Sequence, residues 1–157
     1  MVYSIPALAL DSVNKYYGSV QALNEFSLQV ADGELVSLLG PSGCGKTTAL
    51  RTIAGFEQPN SGSVYLGGSE VTSIPPERRN VGLVFQAYAL FPHMTVASNV
   101  AFPMMIARRP RNEIDATVKR LLAMVQLEGL ENRYPSQLSG GQCQRVALAR
   151  ALAKQPR

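Results

Sequence analysis

The stretch that most constrains this chain is a glycine-rich loop, Gly40-Pro41-Ser42-Gly43-Cys44-Gly45-Lys46-Thr47-Thr48. It fits the phosphate-binding pattern G-x-x-x-x-G-K-[ST] without a mismatch. The apolar run at residues 34–39 before it is typical of a parallel strand buried on both faces. Residues 47–54 after it carry apolar side chains at helical spacing and stop at Gly55. The sequence therefore predicts strand, glycine loop and helix, the setting that this pattern requires.

The residue types in the loop suit a triphosphate. Its glycines permit positive φ, so that backbone N–H groups curl around a phosphate, and the helix N-terminus adds partial positive charge. Lys46 supplies a full charge for the β- and γ-phosphates, and the Thr47 hydroxyl is placed to ligate Mg²⁺. The alternative is a chance glycine turn before a lysine. Four fixed positions match by chance in well under ~1% of chains this long, so we expect a nucleoside triphosphate.

Composition narrows the class of protein. The chain has 157 residues, 46% hydrophobic and 17% charged, which is typical of one soluble globular domain. No apolar run approaches ~18 residues, so no membrane span is expected, and the first residues lack a secretory pattern. Cys44 and Cys143 are far apart and predicted to be free thiols. Net charge is +4, and the basic cluster at 108–111 favours a solvated face over a nucleic-acid site.

The first half of the chain is predicted to be rich in strands. Alternating apolar and polar residues predict antiparallel strands at 7–16 and 26–30, and 63–66 predicts another before a tight glycine turn. Residues 74–80 are predicted to be a proline-rich surface link. A second buried strand is predicted at 81–85, just before Gln86.

Past Gln86 the pattern becomes helical. One helix is predicted at 95–102, ended by Pro103, and a second at 112–125 with Asn112 as N-cap. The last begins at Leu138-Ser139-Gly140-Gly141-Gln142. There Ser139 caps the helix and the glycines expose backbone N–H groups as a second anion site. An ordinary helix start is the alternative for this pentapeptide alone, but the phosphate loop upstream and residues 144–152 downstream disfavour it.

The pairing of the two glycine motifs resembles the nucleotide-binding subunit of ABC transporters, over the whole length of the chain. The resemblance implies an α/β fold of the P-loop NTPase type. Residues 1–86 would form a RecA-like nucleotide-binding core with an antiparallel β subdomain, and 87–157 the ABC helical subdomain with the signature. Together they would make one incomplete ABC ATPase domain, with ATP and Mg²⁺ as cofactors.

The resemblance also implies roles for single residues. Tyr17 matches the aromatic that stacks on adenine, with Tyr16 ranked second, and Gln86 matches the glutamine that meets Mg²⁺ and the attacking water. Taken alone, each has a plainer interpretation, as a half-buried strand aromatic and as a polar strand end. The metal would be held by Thr47 and Gln86. The implied ATP-binding set is Tyr17, Gly40, Pro41, Ser42, Gly43, Cys44, Gly45, Lys46, Thr47, Thr48 and Gln86, and the implied contacts to ATP of an opposite subunit are Ser139, Gly140, Gly141 and Gln142.

Partners follow from the same resemblance. It implies a second ATP-binding subunit packed head to tail, transmembrane permease subunits docking near residues 86–96, and a solute-binding protein reached through the complex, with no nucleic acid. Such a chain would be peripheral, at the cytoplasmic face of the inner (plasma) membrane. Residues 88–96 look like those of importers for polyamines, ferric iron, sugars or sulfate, and residues 124–128 look closest to the spermidine/putrescine type.

The family pattern continues past the point where this sequence stops. It adds an Asp for Mg²⁺ (Walker B), a catalytic Glu and a switch His, and none of these follows the signature here. We therefore expect an N-terminal fragment without the C-terminal half of the core. Losing a general base costs on the order of 10²–10⁴ in rate, so hydrolysis by this chain alone is not expected. The alternatives are a non-transport ABC ATPase of DNA repair or translation, which residues 90–96 disfavour, and a non-catalytic ATP-binding remnant.

Overall fold

The computed structural model describes residues 5–156 in two compact units. The first, called here the sheet unit, runs to Val81, and the helical unit comprises Gly82–Pro156. Within residues 5–156, no helix combines the length and the apolar character that crossing a bilayer requires. The elements are β1 (Leu8–Tyr17), β2 (Val20–Val30), α1 (Lys46–Ala54), β3 (Ser61–Leu66), β4 (Ser69–Glu70), α2 (Val96–Ile106), α3 (Arg111–Met124) and α4 (Gly140–Ala153).

The sheet has the strand order β2-β1-β3-β4, with every pair antiparallel. β1 and β2 form a hairpin around Gly18 and Ser19, with Tyr17 opposite Val20. The turn at Gly67-Gly68 joins β3 to β4 as predicted. The antiparallel part of the predicted fold is confirmed, and β2 begins six residues earlier than the predicted strand at 26–30.

Helix α1 packs against this sheet. Ala49 and Ile53 on one face of the helix join a buried cluster with Leu10, Leu23 and Val64 of the strands. Fully burying an aliphatic side chain of this size contributes about 1.5–3 kcal/mol, so the contact fixes the helix on the sheet. The helix ends at Gly55, which adopts φ 86° and donates its N–H to the carbonyl oxygen of Thr52 at 3.2 Å. The predicted glycine stop is confirmed.

Residues 74–80 are not simply a surface link, because Arg79 is only 2% exposed. Its guanidinium donates to the carbonyl oxygens of Thr52 (2.7 Å) and Ile53 (2.8 Å) in the last turn of α1. It also donates to those of Ile74 (2.7 Å) and Thr72 (3.0 Å). Desolvation lowers the pKa of Arg79, and carbonyl dipoles at the helix C-terminus compensate its charge. Arg79 thus fixes the end of α1 to the chain after the sheet.

The two buried strands predicted at 34–39 and 81–85 are not formed. Leu35 is 97% exposed and Leu39 89% exposed, and only Leu38 of the first run packs on the sheet core. In the second run, Gly82 lies against the backbone of Ala151 in α4. A parallel strand requires neighbouring strands that take its N–H and C=O groups, and no strand of residues 5–156 pairs with either run. The RecA-like parallel sheet is therefore not present in the described residues.

The helical unit is built around one apolar core. Val96 and Val100 of α2, Leu121 and Leu122 of α3 and Val146 of α4 are at most 2% exposed and pack together. The apolar face predicted for α3 is therefore largely correct. The predicted N-cap is wrong, because Pro110 occupies that position and Asn112 lies inside the helix.

Pro103 does not end α2, which continues to Ile106. A proline inside a helix removes one hydrogen bond and costs about 3 kcal/mol. Val100 and Met104 on either side of it are buried, and each contributes about 1.5–3 kcal/mol. Burial of the residues on both sides of Pro103 offsets the lost hydrogen bond. The sequence around Pro103 does not reveal this burial, so it wrongly predicted that the helix ends there.

Candidate nucleotide site

The glycine loop turns into α1 through left-handed backbone. Gly43 has φ 83°, and Gly45, the N-cap of α1, has φ 93°. The N–H of Cys44 donates to the carbonyl oxygen of Pro41 at 3.4 Å, which closes the turn. No side chain caps α1, and its first turn holds no acidic residue. The helix therefore presents uncapped N–H groups and its positive dipole end, which together favour an anion.

Gly45 is also the point where the loop packs against the sheet. A Cβ at this position would overlap the carbonyl oxygen of Ala22 in β2 and lie 3.1 Å from Cδ2 of Leu23. Only glycine satisfies both this contact and the positive φ. The close approach holds the start of α1 beside the β1–β2 hairpin, which also carries Tyr17.

Lys46 reaches back over the loop. Its Nζ donates to the carbonyl oxygens of Gly40 (2.8 Å) and Pro41 (2.6 Å), and lies 3.3 Å from the Sγ of Cys44. The ammonium is thereby held over the turn that leads into the helix N-terminus. Backbone N–H groups and a lysine charge converging in this way fit the phosphates of a nucleotide.

The hydroxyl side chains after Lys46 offer little coordination for a metal. Thr47 is exposed at the start of α1, and Thr48 is half-buried. Among residues 5–156 no group of three or more His, Cys, Asp or Glu side chains is placed to hold a metal ion. A Mg²⁺ ion at this loop would thus have the Thr47 hydroxyl as a protein ligand and take its remaining oxygens from phosphate and water, as Mg²⁺ commonly does.

Tyr17 ends β1 with 44% of its surface exposed, and Tyr16 beside it is 43% exposed. The Nζ of Lys15 lies 5.1 Å from the centroid of the Tyr17 ring and 3.3 Å from a carboxylate oxygen of Glu57. Side chains of successive strand residues point to opposite faces, so Tyr16 and Tyr17 present their rings to different sides of the sheet. The Lys15 ammonium lies over one face of the Tyr17 ring, and nearly half of the residue's surface remains exposed.

The second glycine motif is the N-terminus of α4. Ser139 is the N-cap: its Oγ accepts from the N–H of Gln142 at 3.3 Å, and Gln142 Oε1 accepts from the N–H of Ser139 at 2.8 Å. This reciprocal pair is a capping box, so the predicted cap by Ser139 is confirmed. Gly140 and Gly141 are exposed, and nothing lies within 4 Å of a Cβ placed on Gly141. Their backbone is open to a ligand, while the side chains of Ser139 and Gln142 already bond within the cap.

Gln86 lies in an exposed turn of the helical unit, closed by the N–H of Tyr88 on the carbonyl oxygen of Phe85 at 2.9 Å. The next residues have unusual backbone, since Tyr88 (φ 59°) and Ala89 (φ 47°) are both left-handed without being glycine. Such conformations are costly and persist only where the surroundings impose them.

Two side chains that the sequence did not single out bond to the backbone of this segment and of the residues that follow it. Asn99 is fully buried; its Oδ1 accepts from the N–H of Phe91 at 2.9 Å, and its Nδ2 donates to carbonyl oxygens of residues 91, 94 and 95. Arg150 donates to the carbonyl oxygens of Tyr88 and Ala89. An Arg in the last turn of α4 and an Asn one turn after the N-cap of α2 were the available signals. Their partners are distant in sequence or belong to the backbone.

The glycine loop and the turn at Ser139 both lie in the part of the chain that matches a known protein family. The family model for the ABC transporter matches residues 23–157, which includes both glycine motifs. The chain belongs to the ABC transporter family. The predicted membership is confirmed, and so is the fold class, because the matching structures are ABC cassettes.

Two relatives of this chain are import ATP-binding proteins. The chain is 51% identical over 152 residues to the spermidine/putrescine import ATP-binding protein PotA of Haemophilus influenzae, covering 97% of this chain and 41% of PotA. It is 52% identical over 150 residues to the sulfate/thiosulfate import ATP-binding protein CysA of Synechocystis, covering 96% and 42%. The chain thus spans about two-fifths of the length of the curated relatives it matches.

A solved ABC structure shows the same fold. The ATP-binding cassette MJ0796, a dimer in a post-hydrolysis state bound to ADP and Pi, superposes with a TM-score of 0.84 at 35% identity. The match covers 95% of this chain and 70% of that cassette.

Proposed function

We propose that this chain binds ATP with Mg²⁺ at residues 40–48 and serves as the ATP-binding part of an ABC importer. The observation that carries the proposal is the N-terminus of α1, where uncapped N–H groups and the ammonium of Lys46 converge. Within the sheet unit these are the groups that recognise phosphate. Arg79 and the buried face of α1 hold the helix in place for them.

The remaining residues of the sheet unit have complementary roles in this proposal. Thr47 would contribute its hydroxyl to Mg²⁺, and the ion would supply neutralisation of phosphate charge. Tyr17 stacks on the adenine from the end of β1. Stacking recognises any flat base, so this contact adds affinity with little discrimination between ATP and GTP. Pro41, Ser42 and Cys44 contribute loop backbone rather than charge.

The helical unit has its role in an assembly. We propose that two such chains meet head to tail, so that Ser139, Gly140, Gly141 and Gln142 of one chain contact the γ-phosphate bound by the loop of the other. The open backbone at Gly140 and Gly141 suits this contact, and the dimeric state of MJ0796 with ADP and Pi supports the arrangement. Gln86 would sense Mg²⁺ and the attacking water there.

Coupling to transport involves the segment after Gln86. We propose that residues 86–96 receive a transmembrane permease subunit, which places the chain at the cytoplasmic face of the inner membrane and links it to a solute-binding protein. ATP binding closes the pair of chains and hydrolysis in the assembly reopens it. A polyamine or sulfate importer fits the relatives equally, since the PotA and CysA identities differ by one per cent. A non-transport ATPase is disfavoured because these relatives are import proteins.

Calorimetric titration of the chain with ATP and MgCl₂ tests the proposal, with Lys46→Ala as the critical variant. Hydrogen bonds to charged groups contribute about 1.5–3 kcal/mol each, so loss of the ammonium that would contact two phosphates is expected to weaken ATP binding at least ~100-fold. The affinity for GTP is expected to fall by the same factor, because Lys46 would contact no base.

Lys119→Ala is the matched control. Lys119 is exposed on α3, so this variant loses the same charge outside the proposed site and is expected to bind ATP like the wild type. Equal ATP affinity for wild type and Lys46→Ala would refute the proposed site.

A further inference from the structure

The side chain of Arg150 in α4 links the signature helix to the chain segment that follows Gln86. Its Nη1 donates to the carbonyl oxygen of Ala89 at 2.8 Å and its Nη2 to that of Tyr88 at 3.0 Å. Its guanidinium also lies 5.5 Å from the centroid of the Phe91 ring. The guanidinium is half-buried, which lowers the pKa of Arg150 and strengthens its hydrogen bonds to the carbonyl oxygens.

The backbone of this segment depends on outside support. Tyr88 and Ala89 are consecutive left-handed residues, and this conformation turns both carbonyl oxygens toward one guanidinium. A planar fork with two donors fits two carbonyls at once, and a lysine ammonium does not reproduce that geometry. Asn99 holds the far side of the segment through Phe91. Arg150 therefore supports the segment from the side of α4.

Tyr88 also reaches toward the other end of α4. A Cβ placed on Gly140 would lie 3.7 Å from the Tyr88 hydroxyl, at the first turn of the helix. Arg150 lies ten residues further along the helix, which corresponds to about 15 Å of axial rise. The segment thus meets both the signature turn and the later part of the same helix.

We propose that Arg150 is a positioning residue that makes residues 88–91 and helix α4 one rigid body. A displacement of the signature turn at Ser139–Gln142 is then carried directly to the segment that the proposed function assigns to permease docking. That use rests on the proposed function. The rigid connection itself requires neither nucleotide nor permease, so its test is independent of ATP binding.

The helix provides a matched control in Arg145. Its Nη1 donates to the carbonyl oxygens of Val125 (3.0 Å) and Gln126 (3.1 Å), just after α3. Gln126 is likewise left-handed, with φ 56°. Arg145 and Arg150 are thus two arginines of one helix, each bound to two consecutive carbonyls, but only Arg150 faces the segment after Gln86.

Residue-resolved amide hydrogen exchange on the whole chain, without nucleotide, compares Arg150→Gln with Arg145→Gln. In Arg150→Gln, exchange at Tyr88 and Ala89 is expected to rise at least about tenfold, with less than about a twofold change at Gln126 and Leu127. Arg145→Gln is expected to show the reverse. Arg150→Lys keeps the charge but not the fork, and is expected to lie between wild type and Arg150→Gln.

Two results would overturn the inference. In one, Tyr88 and Ala89 exchange at the wild-type rate in Arg150→Gln. In the other, both sets of amides accelerate equally, which means that Arg150 stabilises the unit as a whole and does not position the segment. Should Arg150→Gln fail to fold, the same comparison with Arg150→Lys decides between these outcomes.

Discussion

The chain contains two glycine-rich helix starts that differ in how their N–H groups are satisfied. At α1 the N-cap is Gly45 with left-handed backbone and no side-chain cap, and Lys46 adds charge at the open end. At α4 the N-cap is Ser139, which exchanges two hydrogen bonds with Gln142. Both are anion sites by sequence pattern, but only the second is already capped by its own side chains.

We propose that this difference in capping gives the two helix starts different roles. An uncapped helix end with a nearby lysine is stabilised by a ligand whose oxygen atoms accept hydrogen bonds from its free N–H groups. The start of α1 is therefore suited to bind phosphate within one chain. The self-capped α4 is ordered without ligand, and its free backbone at Gly140 and Gly141 suits a contact added later by another chain. We therefore expect the α1 site to bind ATP alone and the α4 site to contribute only in an assembly.

The largest expected effect comes from exchanging a glycine at each helix start for alanine. Gly45→Ala imposes a left-handed alanine, which costs about 1–2 kcal/mol, and places a Cβ on the carbonyl oxygen of Ala22. The loop must shift, and ATP affinity is expected to fall roughly 100-fold or more. Gly141→Ala meets nothing within 4 Å, and in a helix alanine is favoured over glycine by roughly 0.5–1 kcal/mol. Titration calorimetry measures the ATP affinity of both variants. Equal affinities would contradict the claim that the start of α1, and not that of α4, binds ATP in the single chain.

An intermediate effect is expected at the hairpin that carries the aromatic pair. Tyr17→Ala is expected to weaken ATP and GTP alike, by about 1–3 kcal/mol. Tyr16→Ala removes a neighbour of nearly equal exposure from the other side of the strand, and its effect is expected to stay within about twofold. The same titration checks both. A larger loss in Tyr16→Ala would move the stacking role to that residue.

The smallest expected effect is at Ser139. Ser139→Ala removes one half of the capping box and costs about 1 kcal/mol of local stability. Amide exchange at Gln142 is expected to quicken about fivefold, while ATP affinity of the single chain stays within about twofold. A loss of ATP affinity like that of Lys46→Ala would contradict the separation of the two sites, because it would place Ser139 in the cis site.

Features with a local cause were predictable from the sequence. Gly55 ends α1 and Ser139 caps α4, because left-handed glycine and a short hydroxyl side chain act within a few residues of themselves. The antiparallel strands also followed from alternation along the chain. The glycine loop was located by its spacing, although its role as a nucleotide site stays a proposal.

Features with a distant cause were not predictable. Arg79 is buried because α1 offers it carbonyls 26 and 27 residues away, and Arg150 meets carbonyls 61 and 62 residues away. The apolar runs at 34–39 and 81–85 have the composition of buried strands, but a strand forms only where another strand pairs with it. A hydrophobic pattern shows that a segment is stabilised by burial, but it does not show whether a neighbouring strand is present to pair with it.

Amide chemical shifts during an ATP–Mg²⁺ titration of the single, ¹⁵N-labelled chain test the central claim most directly. The account predicts saturable shifts at Gly43, Gly45 and Lys46, and no change at Gly140 and Gly141. Shifts confined to Gly140 and Gly141, or none at the three loop amides under saturating ATP, would contradict the claim that the uncapped start of α1 is the nucleotide site.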